Sequence, residues 1–271
     1  MDLAAYFDRI GFTGDARPDL ATLKALHRAH LLAIPYENLD VQLGRPVTPD
    51  PAAAVEKIVG RRRGGWCYEM NGVLGEALTA IGFDVTRLAG GVMRQVVGDV
   101  QVGNHLVLLV RLPEGPWIAD VGFGDGSPDP FPLAAAPLSA DGFDFRLEDL
   151  GDGWWRFHNH AQGGAPTYDF QLTPAPPAKL VERCQWLQSA PESNFVLNAV
   201  VQRWRPGGLL LQMRGRSLRE VRPGGVETRL VGSADEYVAV LAERFGLDLP
   251  EAAGLWPRIC ARHEALFGVS A

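Results

Sequence analysis

The stretch RRRGGWCYEMNG, residues 61–72, sets one of only three cysteines between a Gly-Gly pair and the start of a helix. A cysteine in the first turn of a helix meets unpaired backbone N–H groups and the positive end of the helix dipole. Both favour thiolate over thiol. Gly64 and Gly65 carry no side chains, which on this reading leaves the sulfur open to close approach by a substrate. The competing reading makes Cys67 a small apolar residue filling a junction, as free cysteines commonly are.

Working outward, the residues up to about 82 have helical spacing. Asp2 can cap a helix over Leu3–Ile10, and Asp19 a second one with Leu20, Leu23, Leu26, Leu31 and Ile34 on its apolar side. Pro35 ends that helix. Asp50–Pro51 is a cap followed by proline at the first helical position, opening Ala52–Val59. The helix from Cys67 would stop at Gly82.

Beyond it the pattern changes. Phe83–Leu88, His105–Leu112, Trp117–Phe123, Trp154–His158 and Tyr168–Leu172 are β-branched or aromatic runs bounded by turn residues, as in a small barrel or sandwich. After the connector Thr173–Pro177, strands are expected in Asn194–Trp204, Leu209–Arg214 and Val226–Leu230. Ser233 with Glu236 forms a capping box for a helix ending near Phe245, and a last helix covers Leu255–Phe267.

Composition narrows the function. The chain has 271 residues and a net charge of −6, without a basic face suited to nucleic acid. The Arg61–Arg63 run reads as a solvated helix end. No secretion signal and no membrane-length apolar run is evident. Three widely spaced cysteines make a poor disulfide framework and suit a reducing, cytoplasmic setting.

A thiolate nucleophile needs a base, and the base needs an orienter. His27 and His30 lie on a helix as packing or surface residues, and His263 sits among charged neighbours on the last helix. His158 and His160 share one strand face but lack further ligands, so no metal is expected. His105 opens the apolar run HLVLLV, where an imidazole is costly unless used. Asp120 interrupts the apolar run WIADVGFG, where a carboxylate should not sit unpaired. A hairpin centred on Glu114–Gly115 would set Asp120 opposite Leu109, on the same face as His105. The parity is right, yet the two remain four positions apart, roughly 13 Å. A bulge or an earlier turn would close the gap.

At this point the segments HRAHLLAIPYENL (27–39), RGGWCYEMNG (63–72), NHLVLLV (104–110), DVGFG (120–124) and YDFQLTP (168–174), in this order, resemble an arylamine N-acetyltransferase. The resemblance implies a mixed α/β fold: an N-terminal helical bundle, a central β-barrel and a C-terminal α/β lid around a cysteine-protease-like catalytic core. The corresponding divisions would be 1–85, 86–190 and 191–271. It implies a triad of Cys67, His105 and Asp120, with Tyr36 and Phe123 lining the acceptor pocket. The family more often has Phe at the first of these positions, and usually Gly where this chain has Asp125, a carboxylate able to alter how coenzyme A phosphates or the acceptor are received.

The implied activity is ping-pong transfer of acetyl from acetyl-CoA, the acyl-donor substrate, to a small arylamine or hydrazine. Backbone N–H groups near Cys67 and Tyr68 are candidates for the oxyanion site. Three rival readings stay open. One is an amide synthase of the same fold carrying a longer acyl chain, another a cysteine hydrolase, and the third a non-catalytic binding protein.

Overall fold

The computed structural model describes residues 1–268, so the last three residues of the expected 191–271 unit lie outside it. Helices come first, then strands, then a mixed tail. The helix caps are local and form as the sequence suggests. Asp2 accepts from the Ala5 N–H, Asp19 from Thr22, Asp50 from Ala52 and Ser233 from Glu236. The third helix is shorter than expected, Pro51–Val55, and ends in a π turn over Glu56–Gly60.

The helix carrying the cysteine runs Cys67–Ile81. Its start is held by Glu69, whose Oε2 accepts the Trp66 N–H at 3.2 Å, while the Trp66 side chain offers no reciprocal acceptor. Residues 67–75 are buried on every side, so this helix is a central strut rather than a surface element. Gly64 and Gly65 make room for the chain, not for a substrate. A Cβ at Gly64 would lie 2.2 Å from the Pro35 carbonyl oxygen, and one at Gly65 2.7 Å from the Glu69 Cβ. Backbone close-packing explains the pair, which corrects the expectation of an open path to the sulfur there.

An antiparallel eight-stranded sheet curls into a nearly closed barrel. Its order is Phe131–Pro132, Gly115–Ala119, His105–Leu112, Asp84–Val92, Thr167–Pro174, Trp154–His158, Phe143–Gly151 and Ala136–Ala140. Phe131, on one edge, stacks on Phe157 at 5.3 Å, and Phe157 stacks on Phe145 at 5.7 Å. Aromatic packing therefore draws this edge toward the strands next to the other one.

A second antiparallel sheet, in the order Tyr36–Glu37, Val200–Arg205, Leu209–Arg214, Ser217–Arg222 and Gly225–Leu230, forms the lid with the helices Ala234–Val240 and Trp256–Phe267. The expected strand over 194–204 divides instead into a helical turn, Asn194–Leu197, and a strand from Val200. Ser193 Oγ caps the turn by accepting the Phe195 N–H. A helix over Pro177–Ser189 had no counterpart in the sequence reading. Among the described residues, no helix is long and apolar enough to cross a membrane.

Candidate active site

The hairpin between His105–Leu112 and Gly115–Ala119 turns one residue earlier than expected, pairing Leu112 with Gly115 and Leu108 with Ala119. Extending that register sets Asp120 against Val107, two positions from His105 instead of four. A one-residue shift of the turn moves the pairing by two, so both side chains keep the same face. His105 Nε2 then meets Asp120 Oδ2 at 2.7 Å, with both residues almost wholly buried.

Asp120 is held from four directions. Its Oδ1 accepts from Asn71 Nδ2 at 2.8 Å and from the Gly122 N–H at 2.9 Å, and its Oδ2 receives His105. Its own N–H donates to His27 Nε2 at 3.2 Å. Asn71 comes from the second turn of the cysteine helix and also receives the Val121 N–H at 2.9 Å. One amide thus ties the Cys67 helix to the DVGFG segment. A Cβ on Gly122 would lie 2.8 Å from the Cys67 Cα, so only glycine lets that segment lie against the helix start.

Burial opposes a charged His105, but the Asp120 carboxylate and hydrogen bonding to Asp120 and Cys67 outweigh it, raising the imidazolium to about 10. Burial likewise opposes ionised Asp120, and its contacts with His105, Asn71 and Gly122 hold it below the usual carboxylate range. With Nε2 given to Asp120, Nδ1 is left for Cys67. The Cys67 sulfur also lies 3.7 Å from the Asn104 carbonyl oxygen. Neither the Cys67 nor the Tyr68 backbone N–H, at the first two helical positions, has a partner among the described residues. The Tyr68 hydroxyl donates to the Gly103 carbonyl at 2.6 Å.

Cys67 and His105 open into a cavity of about 870 Å³, which Tyr36, Phe123 and Asp125 also line. The Phe123 ring sits 5.5 Å from His105 and 4.9 Å from Tyr168. Asp125 is not a bare charge in this space. Its oxygens accept from Asn159, the Gly164 N–H and Gln212, and burial raises its pKa despite those bonds. It fastens the barrel loop to the lid sheet.

The chain matches an N-acetyltransferase family model over residues 19–253. It is 38% identical to the arylamine N-acetyltransferase of Mycolicibacterium smegmatis, covering 94% of each chain, and 35% identical to that of Escherichia coli, covering 91% and 89%. The chain belongs to the arylamine N-acetyltransferase family. The family's fold is shared in full: the solved Mycobacterium marinum arylamine N-acetyltransferase in complex with CoA superposes with a TM-score of 0.87 at 33% identity, covering 95% of this chain and 98% of that one. As a member of this acyltransferase family, the chain is an enzyme.

Beneath the arylamine N-acetyltransferase cavity lies a buried ion network. Arg63 Nη2 reaches Glu37 at 2.7 Å and Asp40 at 3.1 Å; Lys57 Nζ reaches Asp40 and Glu69, each at 2.9 Å. All five are buried. Arg63 is therefore no solvated helix end, although Arg61 and Arg62 are exposed. Burial raises Glu69 to about 7 despite Lys57, with Glu37 adding to the rise. The network pins Glu37, next to Tyr36, to Glu69, two residues past the sulfur.

Sequence reasoning missed the part played by His27, placing it as a packing or surface residue. It is fully buried, and its position on the inner stripe of an amphipathic helix was the available signal. His263, flanked on its helix by Arg262 and Glu264, is likewise buried, with its ring 4.9 Å from that of Phe267 at the cavity's edge.

Proposed function

We propose that this enzyme transfers an acetyl group from acetyl-CoA to an arylamine or arylhydrazine through an acetyl-Cys67 intermediate, with His105 as base and Asp120 as its orienter. The observation that carries the reading is the buried His105–Asp120 pair at 2.7 Å, facing Cys67 at the wall of a shared cavity.

His105 Nδ1 takes the thiol proton, and Asp120 stabilises the imidazolium that results. The thiolate attacks the thioester carbonyl, and the Cys67 and Tyr68 N–H groups are placed to meet the developing oxyanion. As the carbon–sulfur bond to coenzyme A breaks, His105 returns the proton to the leaving thiolate. The amine then attacks acetyl-Cys67, loses a proton to His105 and leaves as the amide, while Cys67 departs as thiolate. A sulfur ester stays reactive toward an amine where an oxygen ester would not, provided water is kept out. Tyr36 and Phe123 give the cavity flat walls suited to an aromatic acceptor. In this proposal residues 1–85 supply the nucleophile, 86–190 the base and orienter, and 191–271 the cover, in a cytoplasmic setting.

Incubation with acetyl-CoA and no amine should add one acetyl group to the peptide containing Cys67, seen by mass spectrometry, and none in Cys67→Ala. Acetylation spread over Cys184 and Cys260 would overturn the assignment. Cys184 is a good internal control, since burial pushes its thiol up to about 12.

A further inference from the structure

The lid sheet ends on a strand that nothing covers. All six residues of Gly225–Leu230 are exposed, Val226 at 38% and Leu230 at 40% among them. An uncovered edge strand offers a row of free N–H and C=O groups to any matching strand. Among the described residues the other sheet edges are guarded. Phe131–Pro132 and Ala136–Ala140, at the two ends of the barrel sheet, each carry a proline, and Tyr36–Glu37, at the far end of the lid sheet, is buried and bridged to Gly65. Gly225–Leu230 has neither protection.

The direction of its free groups follows from the pairing inside the sheet. Leu218 pairs with Arg229 and Glu220 with Glu227, and just past the strand the Val231 N–H donates to the Arg216 carbonyl at 2.8 Å. Antiparallel ladders alternate, so Glu227 and Arg229 turn their backbone groups inward, while Val226, Thr228 and Leu230 turn theirs away from the sheet. Two copies of this edge can meet antiparallel with Thr228 against Thr228. Val226 of each copy then lies opposite Leu230 of the other, and these outward positions exchange about six hydrogen bonds. Glu227 lies opposite Arg229 twice, at the intervening pairs where side chains come closest. Centring the contact on residue 227 or 229 instead sets Glu227 against Glu227 or Arg229 against Arg229. The segment VETRL, residues 226–230, is therefore complementary to itself in the register centred on Thr228 and repelled in the neighbouring ones. Arg229 Nη1 also reaches Glu236 of its own chain, which leaves the rest of the guanidinium for a second carboxylate.

We infer that the enzyme associates with a second copy of itself through Gly225–Leu230, joining two lid sheets into one continuous sheet about a twofold axis at Thr228. Such a contact uses up the same edge on both copies, so assembly stops at two chains.

Sedimentation velocity of the full chain from ~1 to ~500 µM tests this, a range suited to a contact at the small end of specific interfaces. The wild type should pass from one chain to two and no further. Glu227→Arg and Arg229→Glu should each weaken association ~10-fold or more, because each turns both ion pairs into like-charge pairs. Glu227→Arg leaves the Arg229–Glu236 bridge in place, and Tm should move by no more than ~2 °C in either variant, as for exposed charges. Mixing the two variants should restore a dimer containing one chain of each. Combining both changes in one chain should restore it as well, since opposite charges again face each other. A wild type that stays single throughout, a dimer indifferent to both substitutions, growth beyond two chains, or no recovery on mixing would overturn the proposal.

Discussion

His27 accepts the backbone N–H of Asp120 through Nε2 at 3.2 Å, while its Nδ1 lies 3.1 Å from the Pro128 carbonyl oxygen. An imidazole that accepts at Nε2 must carry its proton on Nδ1, which then donates to Pro128. His27 is therefore a neutral, fixed tautomer. Burial accounts for that first, lowering it to about 4 against the opposing pull of Pro128, Asp120 and Asp129. Asp120 is thus positioned from behind by a second, uncharged histidine 93 residues earlier in the chain.

His27→Leu should cost about 1–3 kcal/mol, because it strands the Asp120 N–H and the Pro128 carbonyl in the interior; urea unfolding at pH 7.5 measures this. It should also change the acid limb. A histidine lowered from 6.5 to about 4 on folding contributes stability that is full above 6.5 and is lost as pH falls through 4. That contribution, on the order of 3 kcal/mol, should vanish from the pH–stability curve of the variant. An unchanged curve would mean that His27 titrates alike in the folded and unfolded chain.

Asp120→Asn should lower the rate of Cys67 acetylation by ~10²–10⁴ with the fold retained, since the imidazolium loses its counter-charge. The pH profile carries the sign. His105 is raised, so its ion pair persists as pH falls and is lost only as pH rises through about 10. The acetylation rate of the wild type should accordingly fall only as pH rises through about 10, whereas in the variant burial of His105 is left unopposed and its imidazolium is lost at lower pH. Coincident alkaline limbs in the two enzymes would refute the pairing.

Lys57→Met should destabilise the enzyme by about 3–5 kcal/mol, far more than a surface lysine would. Its ammonium bridges Asp40 and Glu69 at 2.9 Å each, and removing it leaves buried carboxylates facing one another. Thermal unfolding measures the loss. A decrease in Tm of only a degree or two would show that the network reorganises around the gap.

Tyr36→Phe separates the two half-reactions. The hydroxyl has no hydrogen-bond partner among the described residues, and burial, reinforced by the neighbouring Cys67 and Asp125, keeps it a neutral phenol. Stability should stay within about 0.5 kcal/mol. Single-turnover acetylation by acetyl-CoA should change less than ~2-fold, while KM for polar arylamines shifts by up to ~10-fold. An effect confined to the first half-reaction would place Tyr36 on the donor side.

Much of this was legible along the chain, because it is local chemistry. A side-chain oxygen two or three residues before a helical N–H caps it wherever the helix later packs, so Asp2, Asp19, Asp50 and Ser233 could be read directly. A histidine and an aspartate in otherwise apolar runs announce buried polar groups, and strand alternation puts them on one face. The same local rules failed where a residue answers to distant neighbours. Gly64 and Gly65 yield to Pro35 and Glu69, and the turn at Asn194–Leu197 is wrapped around Asn38 and Gln42.

Two things lay beyond any local rule. One was the distance between His105 and Asp120. A single-residue move of a hairpin turn preserves parity but shortens the ladder separation from roughly 13 to roughly 7 Å, and helix packing through Asn71 and His27 selects the shorter arrangement. The other was the company each charge keeps. Arg63 is sealed among acids, while Arg61 and Arg62 beside it in the chain are exposed. Charge compensation depends on what the fold brings within a few ångströms, and residues tens of positions apart settle that.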